Sequence, residues 1–186
     1  LAMFSRQHDS EEIIGHLKNI RDLKVLVVGE AIVDEYQYCE AIGKSSKEPM
    51  LAVKRASTEQ FPGGSLAVAN HISNFCDSVS VLCFLGDQNS QEEFIRAHIN
   101  PKIKPIFLYR KDSPTIIKRR FIESYFFTKL VEVYEINDGP LDPADNQALY
   151  HALEKELPHY DAVIVMDFGH GMLTKDAIDL ICQKSR

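Results

Sequence analysis

The sequence predicts an α/β fold, doubly wound around a mostly parallel sheet, with a small antiparallel β-layer standing off it. Three observations carry that expectation. Short continuous apolar runs at Lys24–Gly29 (KVLVVG), Val79–Leu85 (VSVLCFL) and Asp161–Met166 (DAVIVM) have the length and uniformity of strands buried on both faces. Helical stretches separate them, as parallel strands require. Two segments, at about 35–60 and 105–136, break this rhythm and read as strands with a wet face.

Taken in order, residues 10–21 (SEEIIGHLKNIR) predict a short amphipathic helix, with Asp9 or Ser10 as N-cap and acids in its first turn. After the first apolar run, residues 35–60 contain no good helix, and LAVKRA alternates weakly like an exposed strand. Ser65–Phe75 follows a Gly-Gly pair and reads as a helix. Ser90–His98 is a second, opened by a Ser-x-x-Glu capping box of Ser90 and Glu93. Within 105–136, TIIKRRFIES and TKLVEVYEI form two runs joined by Tyr-Phe-Phe, with Val131 and Val133 on one face and Glu132 and Tyr134 on the other. Pro143–Glu156 predicts a helix capped by Asp142 and stopped at Pro158, and Lys175–Gln183 one capped by Thr174.

The 186 residues suffice for one domain with a sizeable core and a small appended element. A net charge of -6 argues against nucleic-acid binding. No apolar run reaches the length of a membrane span. The opening LAMFSRQHDSEEII lacks the basic and apolar regions of a secretory signal, and it begins at Leu1 rather than Met, as a trimmed terminus would. Cys39, Cys76, Cys83 and Cys182 are scattered, without zinc spacing, which predicts reduced thiols in a cytoplasmic protein and no metal site.

Four stretches carry candidate chemistry. Phe61-Pro-Gly63-Gly64-Ser65, just before a helix, permits close approach of a ligand to backbone, and the helix start offers free N–H groups. A plain Gly-Gly loop fits the same residues. No GxxxxGK[ST] or GxGxxG occurs, so neither a P-loop nor a dinucleotide fingerprint is present. Gly29–Asp34 follows the first strand, where ligands of open α/β sheets bind; Asp34 there is either a solvated turn acid or an acceptor for the hydroxyls of a polyol. Asp167-Phe-Gly-His-Gly171 repeats the arrangement of acid and glycine at a strand end, and the repetition favours polyol recognition. Finally, Arg110, Lys111, Lys118, Arg119, Arg120 and Lys129 form a basic stretch that is either a solvated face or a source of one or two phosphate contacts. The histidines other than His170 (His8, His16, His71, His98, His151, His159) show no paired spacing. No serine or cysteine stands in a GxSxG-like setting, so a hydrolase triad finds no support.

In this order and spacing these stretches resemble the ribokinase/PfkB family of carbohydrate kinases, over residues 22–185. Gly29–Asp34 is similar to the first strand-end motif of the family, and Pro62–Asn70 to its N-terminal signature. The resemblance implies that Asp34, Gly63, Gly64 and Asn70 hold the sugar, with Asp167 nearby, and that the two β-inserts form a lid and dimer clasp. Within the family, VLVVGEAIVDEYQYCEAIGKSSKEP, Asp167–Gly171, and Thr115 with Lys118 resemble the heptose-7-phosphate kinase domain of ADP-heptose synthesis enzymes. Three positions depart from that subgroup: His170 replaces a lysine, Lys44 an arginine, and Glu132 an arginine.

The resemblance implies a ribokinase-like fold and ATP-dependent phosphorylation of a sugar or sugar phosphate, with Mg2+ accompanying ATP. It implies a homodimer through the lid. The family's Gly-Ala-Gly-Asp anion hole, catalytic base and adenine pocket do not occur before Arg186. The expectation is therefore an N-terminal portion, with the base beyond Arg186, no tight ATP binding and no turnover by these residues alone. Three rivals remain: a family kinase for a ketose or nucleoside, a non-catalytic sugar-phosphate-binding module, and a dimerisation unit.

Overall fold

The computed structural model describes residues 9–185; His8 and the reading of the first eight residues lie outside the described residues. In chain order the elements are α1 (Ser10–Asn19), β1 (Lys24–Gly29), β2 (Ala31–Lys44), β3 (Leu51–Gly64), α2 (Ser65–Ile72), β4 (Ser78–Gln88), α3 (Glu92–His98), β5 (Ile103–Pro114), β6 (Ile116–Glu123), β7 (Thr128–Glu135), α4 (Pro143–Glu156), β8 (Ala162–Met166) and α5 (Lys175–Lys184).

The core sheet is parallel throughout, in the order β5-β4-β1-β8. The uninterrupted apolar sequence of β1 reflects helices on both faces. Val25 and Val27 pack with Leu66 and Ala69 of α2 and Ile95 of α3. Leu26 and Val28 pack with Leu149 and Leu153 of α4 and Leu180 and Ile181 of α5. Each fully buried Leu or Val here is worth about 1.5–3 kcal/mol of transfer free energy. Strand β8 differs from the reading of a doubly buried strand: it is an edge strand, paired only with β1, and Val165 is 41% exposed.

The second sheet has the order β3-β2-β6-β7. Strands β2 and β3 form a long antiparallel hairpin, β6 and β7 a short one, and β2 joins β6 in parallel. The sheet expected as an antiparallel lid is thus mixed. Its second contribution begins at Ile116, because β5 (Ile103–Pro114), whose residues 105–114 read as part of the insert, pairs with β4 in the core sheet. Val131 and Val133, which share one face of β7, are 53% and 42% exposed.

Helix boundaries follow the caps. Asp9, Asp142 and Thr174 each accept the expected backbone N–H at the starts of α1, α4 and α5. The Ser90–Glu93 box does not form: Gln91 takes the N-cap position of α3 in left-handed conformation, with φ 53. The Ser90 carbonyl instead accepts the hydroxyl of Thr115, between β5 and β6, at 2.6 Å, so this tertiary contact overrides the local signal. The α4 helix ends at Glu156, two residues before Pro158 as expected, and a 3-10 turn, Leu157–His159, follows it. All four cysteines are free, and burial pushes Cys83 up to about 12.

Candidate functional site

The chain crosses between the two sheets at Glu30. This residue is 3% exposed, and its carboxylate accepts the backbone N–H of Phe168 at 2.9 Å and of His170 at 3.2 Å. Its carbonyl accepts both the backbone N–H (2.9 Å) and the hydroxyl (3.0 Å) of Ser65. One residue therefore ties β1 to the first turn of α2 and to the loop after β8. Gly64 is required beside it: φ is +59, and an added β-carbon would stand 2.4 Å from the Glu30 carbonyl oxygen.

Four residues further on, Asp34 lies within β2, opposite Phe61 of β3 and Lys118 of β6. It is not a strand-end acid. Gly63 is its diagonal neighbour across the hairpin, and a β-carbon there would meet Asp34 Oδ2 at 2.0 Å. Oδ1 accepts from Arg120 Nη1 at 2.5 Å. Because side chains alternate with period two, the face that carries Asp34 also carries Tyr36, Phe61, Lys118, Arg120, Glu132 and Tyr134.

A continuous chain of contacts runs over that face. Arg120 Nε donates to Glu132 Oε1 at 2.9 Å, and the Tyr134 hydroxyl donates to Glu132 Oε2 at 2.6 Å. Lys118 Nζ sits 5.5 Å from the Tyr134 ring centre, and the Arg120 guanidinium 5.5 Å from that of Tyr36. The Tyr134 hydroxyl, with Arg120, holds the Glu132 carboxyl below its usual range. Burial works against the charge on Arg120, but Asp34 and Glu132 raise its pKa above the ordinary value. Burial and then the Lys118 charge push His170 down, towards the neutral ring. His170 Nε2 is buried without a partner, beside a cavity of about 30 Å³ that has room for about one water.

The structure brings Asp34, Gly63, Gly64 and Lys118 together and sets two expected residues apart. Asn70 lies near the far end of α2, where Oδ1 accepts the Asn100 N–H at 2.8 Å and Nδ2 donates to the His98 carbonyl at 3.4 Å. Its amide fastens the end of α3, because helical spacing carries it a turn and a half from the glycine pair. Asp167 is exposed, and its carboxylate is turned back on the Gly169 N–H at 2.8 Å. Glu30, not Asp167, is the acid that joins this loop to the rest.

Of the basic stretch, Arg110 donates to the carbonyls of Asn137, Gly139 and Pro140. Arg119 pairs with Glu35 and Glu135, and Arg120 with Asp34 and Glu132. Lys118 has no ion pair with any described carboxylate. Sequence reading offered Arg120 only as one of six candidate cations and missed Tyr36 as a member of the site. Period-two alternation from Asp34 and Lys118 was the signal that points to them.

Among the described residues no group of three His, Cys, Asp or Glu is placed to hold a metal ion, and no helix is long and apolar enough to cross a membrane.

No protein-family profile matches the chain. Among curated proteins it is similar to the "Bifunctional protein HldE" of Marinomonas sp. (strain MWYL1), 29% identical over 156 residues, covering 83% of this chain and 32% of that protein. The protein of the same name from Rhodopseudomonas palustris (strain BisB18) is 27% identical over 165 residues, covering 87% and 33%. The chain spans about a third of the length of the curated relatives it matches. Among solved structures it is similar to phosphofructokinase-2 from Escherichia coli in complex with fructose-6-phosphate, with TM-score 0.60, 12% identity, and coverage of 88% of this chain and 51% of that one. A carbohydrate kinase from Agrobacterium tumefaciens gives TM-score 0.57 and 15% identity, covering 88% and 50%. The fold is that of ribokinase-like carbohydrate kinases, and the sequence likeness is to HldE.

Proposed function

We propose, from this likeness to ribokinase-like carbohydrate kinases, that the chain carries the acceptor site and lid of an ATP-dependent kinase for a sugar or sugar phosphate. One observation carries the reading: the Asp34 carboxylate lies over the bare backbone of Gly63, on the sheet face that also carries Lys118 and Arg120. A carboxylate accepts hydrogen bonds from adjacent hydroxyls, and a glycine lets the ligand come close to the main chain. Arg120 fixes the carboxylate in place, and a positioned acceptor group contributes by orienting the hydroxyl to be phosphorylated. The lid sheet would exclude water from the transferring phosphoryl group.

ATP with Mg2+ is the donor in this reading, the metal supplying charge neutralisation on the phosphoryl group. The residues described here act on the acceptor side. The likeness to HldE favours a heptose 7-phosphate as one acceptor to test. A second copy across the lid is also proposed, since Tyr125, Phe126 and Phe127 at the β6–β7 turn are 79%, 77% and 71% exposed.

The test is ATP-dependent phosphoryl transfer by the full-length protein to a panel of ribose, fructose, fructose 6-phosphate, heptose 7-phosphate and adenosine. Transfer to a sugar or sugar phosphate is expected, reduced on the order of 100-fold by Asp34→Asn. Binding without transfer would move the reading to a sugar-binding module, and Asp34-independent transfer would overturn the site.

A further inference from the structure

Three aromatic rings share the sheet face of Asp34, and they are not equivalent. The Arg120 guanidinium lies 5.5 Å from the ring centre of Tyr36, and Lys118 Nζ the same distance from that of Tyr134. Phe61 has no cation over its ring among the described residues, and its side chain is exposed. It is also the direct cross-strand partner of Asp34, which puts their β-carbons about 4.5–5.5 Å apart. Tyr36 meets the Phe61 ring edge to face, with centres 5.9 Å apart and planes at 73°. Arg120, which holds Asp34, is the same residue that contacts Tyr36. A chain of contacts from Phe61 through Tyr36 and Arg120 to Asp34 therefore fixes the exposed ring relative to the carboxylate. A single exposed aromatic is ordinary on a protein surface. One held beside an acceptor carboxylate and the bare backbone of Gly63 bounds the same space that they do.

We propose that Phe61 is the stacking surface of this acceptor site, and that it makes the site select a closed-ring sugar over an open-chain polyol. The inference rests on the proposed acceptor site and narrows its substrate class. A furanose or pyranose presents a fixed patch of C–H groups with small positive partial charges, and the face of an aromatic ring is electron-rich. With that patch on Phe61, the hydroxyls at the rim of the sugar are within reach of Asp34 next to it. An open-chain polyol offers the same hydroxyls but no fixed apolar face, and it must freeze several rotors to make one.

The test is calorimetric titration of the full-length protein with matched pairs: ribose and ribitol, fructose and mannitol, fructose 6-phosphate and mannitol 1-phosphate, and a heptose 7-phosphate and its heptitol. For the pair that binds, the closed-ring member is expected to bind roughly tenfold tighter. A ring is preorganised for any site, so the diagnostic is how that ratio changes in variants. Phe61→Leu keeps an apolar side chain but removes the aromatic face, and should lower the ratio about three- to tenfold. Phe61→Tyr restores the face and should restore the ratio. Should Phe61→Leu lower the melting temperature, Phe61→Met is read in its place. Equal or tighter binding of the open-chain member by the wild-type protein overturns the inference, as does a ratio unmoved by Phe61→Leu with the melting temperature kept. If the open chain wins and Asp34→Asn still abolishes binding, the acceptor site stands and only the role of Phe61 falls. If no member of any pair binds, both fall.

Discussion

The Asp34 carboxylate rests on the backbone of Gly63 with no space between them for a β-carbon, which would lie 2.0 Å from Oδ2. Gly63→Ala should therefore displace the carboxylate or part the hairpin locally. The expected outcome is at least a tenfold loss of sugar affinity, with a stability loss of about 1–3 kcal/mol measured by urea unfolding. Normal affinity in this variant would show that Asp34 does not work against that backbone.

Glu30 is predicted to hold the loop after β8 in place. Glu30→Ala leaves the N–H groups of Phe168 and His170 without their acceptor, at a cost of about 1–3 kcal/mol each if water cannot replace it. Hydrogen exchange at those two amides should accelerate well beyond that of β1. Unchanged protection at residues 168 and 170 would contradict the assignment.

Acid should loosen the lid through Glu35. Burial raises its pKa, but hydrogen bonds from Arg119, Gln37 and Gln60 outweigh this and hold it below its ordinary 4.5. A carboxyl with a depressed folded-state pKa contributes stability that is present above 4.5 and is lost as pH falls below it. Unfolding midpoints measured from pH 6 to pH 3 should drop across that window, and Glu35→Gln should flatten the drop. An equal acid response in both proteins would exclude Glu35 as its source.

Asn70→Ala separates structure from binding. Loss of the bonds to Asn100 and His98 should cost about 1 kcal/mol of stability. The thermal-shift response to sugar should remain that of the wild type, because Asn70 faces α3. A lost response would return Asn70 to the site.

The core was legible because its signals are local and redundant. The run of β1 names itself by burial on both faces, and Asp9, Asp142 and Thr174 cap the helices they precede. The edges were not. Strand β5 reads IKPIFLYRKDSP, with a proline and a charged end, and only pairing with β4 makes it a core strand. Strand β8 looks doubly buried in sequence, yet its exposure depends on which neighbours the sheet gives it.

In the site, the sequence pointed to Asp34 and the glycines through their place after β1. It could not show that Asn70 would be taken by Asn100, thirty residues away, or that Glu30 rather than Asp167 would bind the far loop. Both outcomes are set by tertiary hydrogen bonds that leave no periodic trace. Arg120 was within reach, since it lies two residues from Lys118 on one strand, but the neighbouring cations masked it until the register with Glu132 was fixed.

The most direct measurement is a backbone amide NMR titration of the protein with the sugar that it binds. The account predicts that Asp34, Gly63, Gly64 and Arg120 shift together on one binding curve, and that Asn70 and Asn100 stay still. Shifts confined to the α4–α5 surface, or absent from Gly63 while sugar binds, would contradict it.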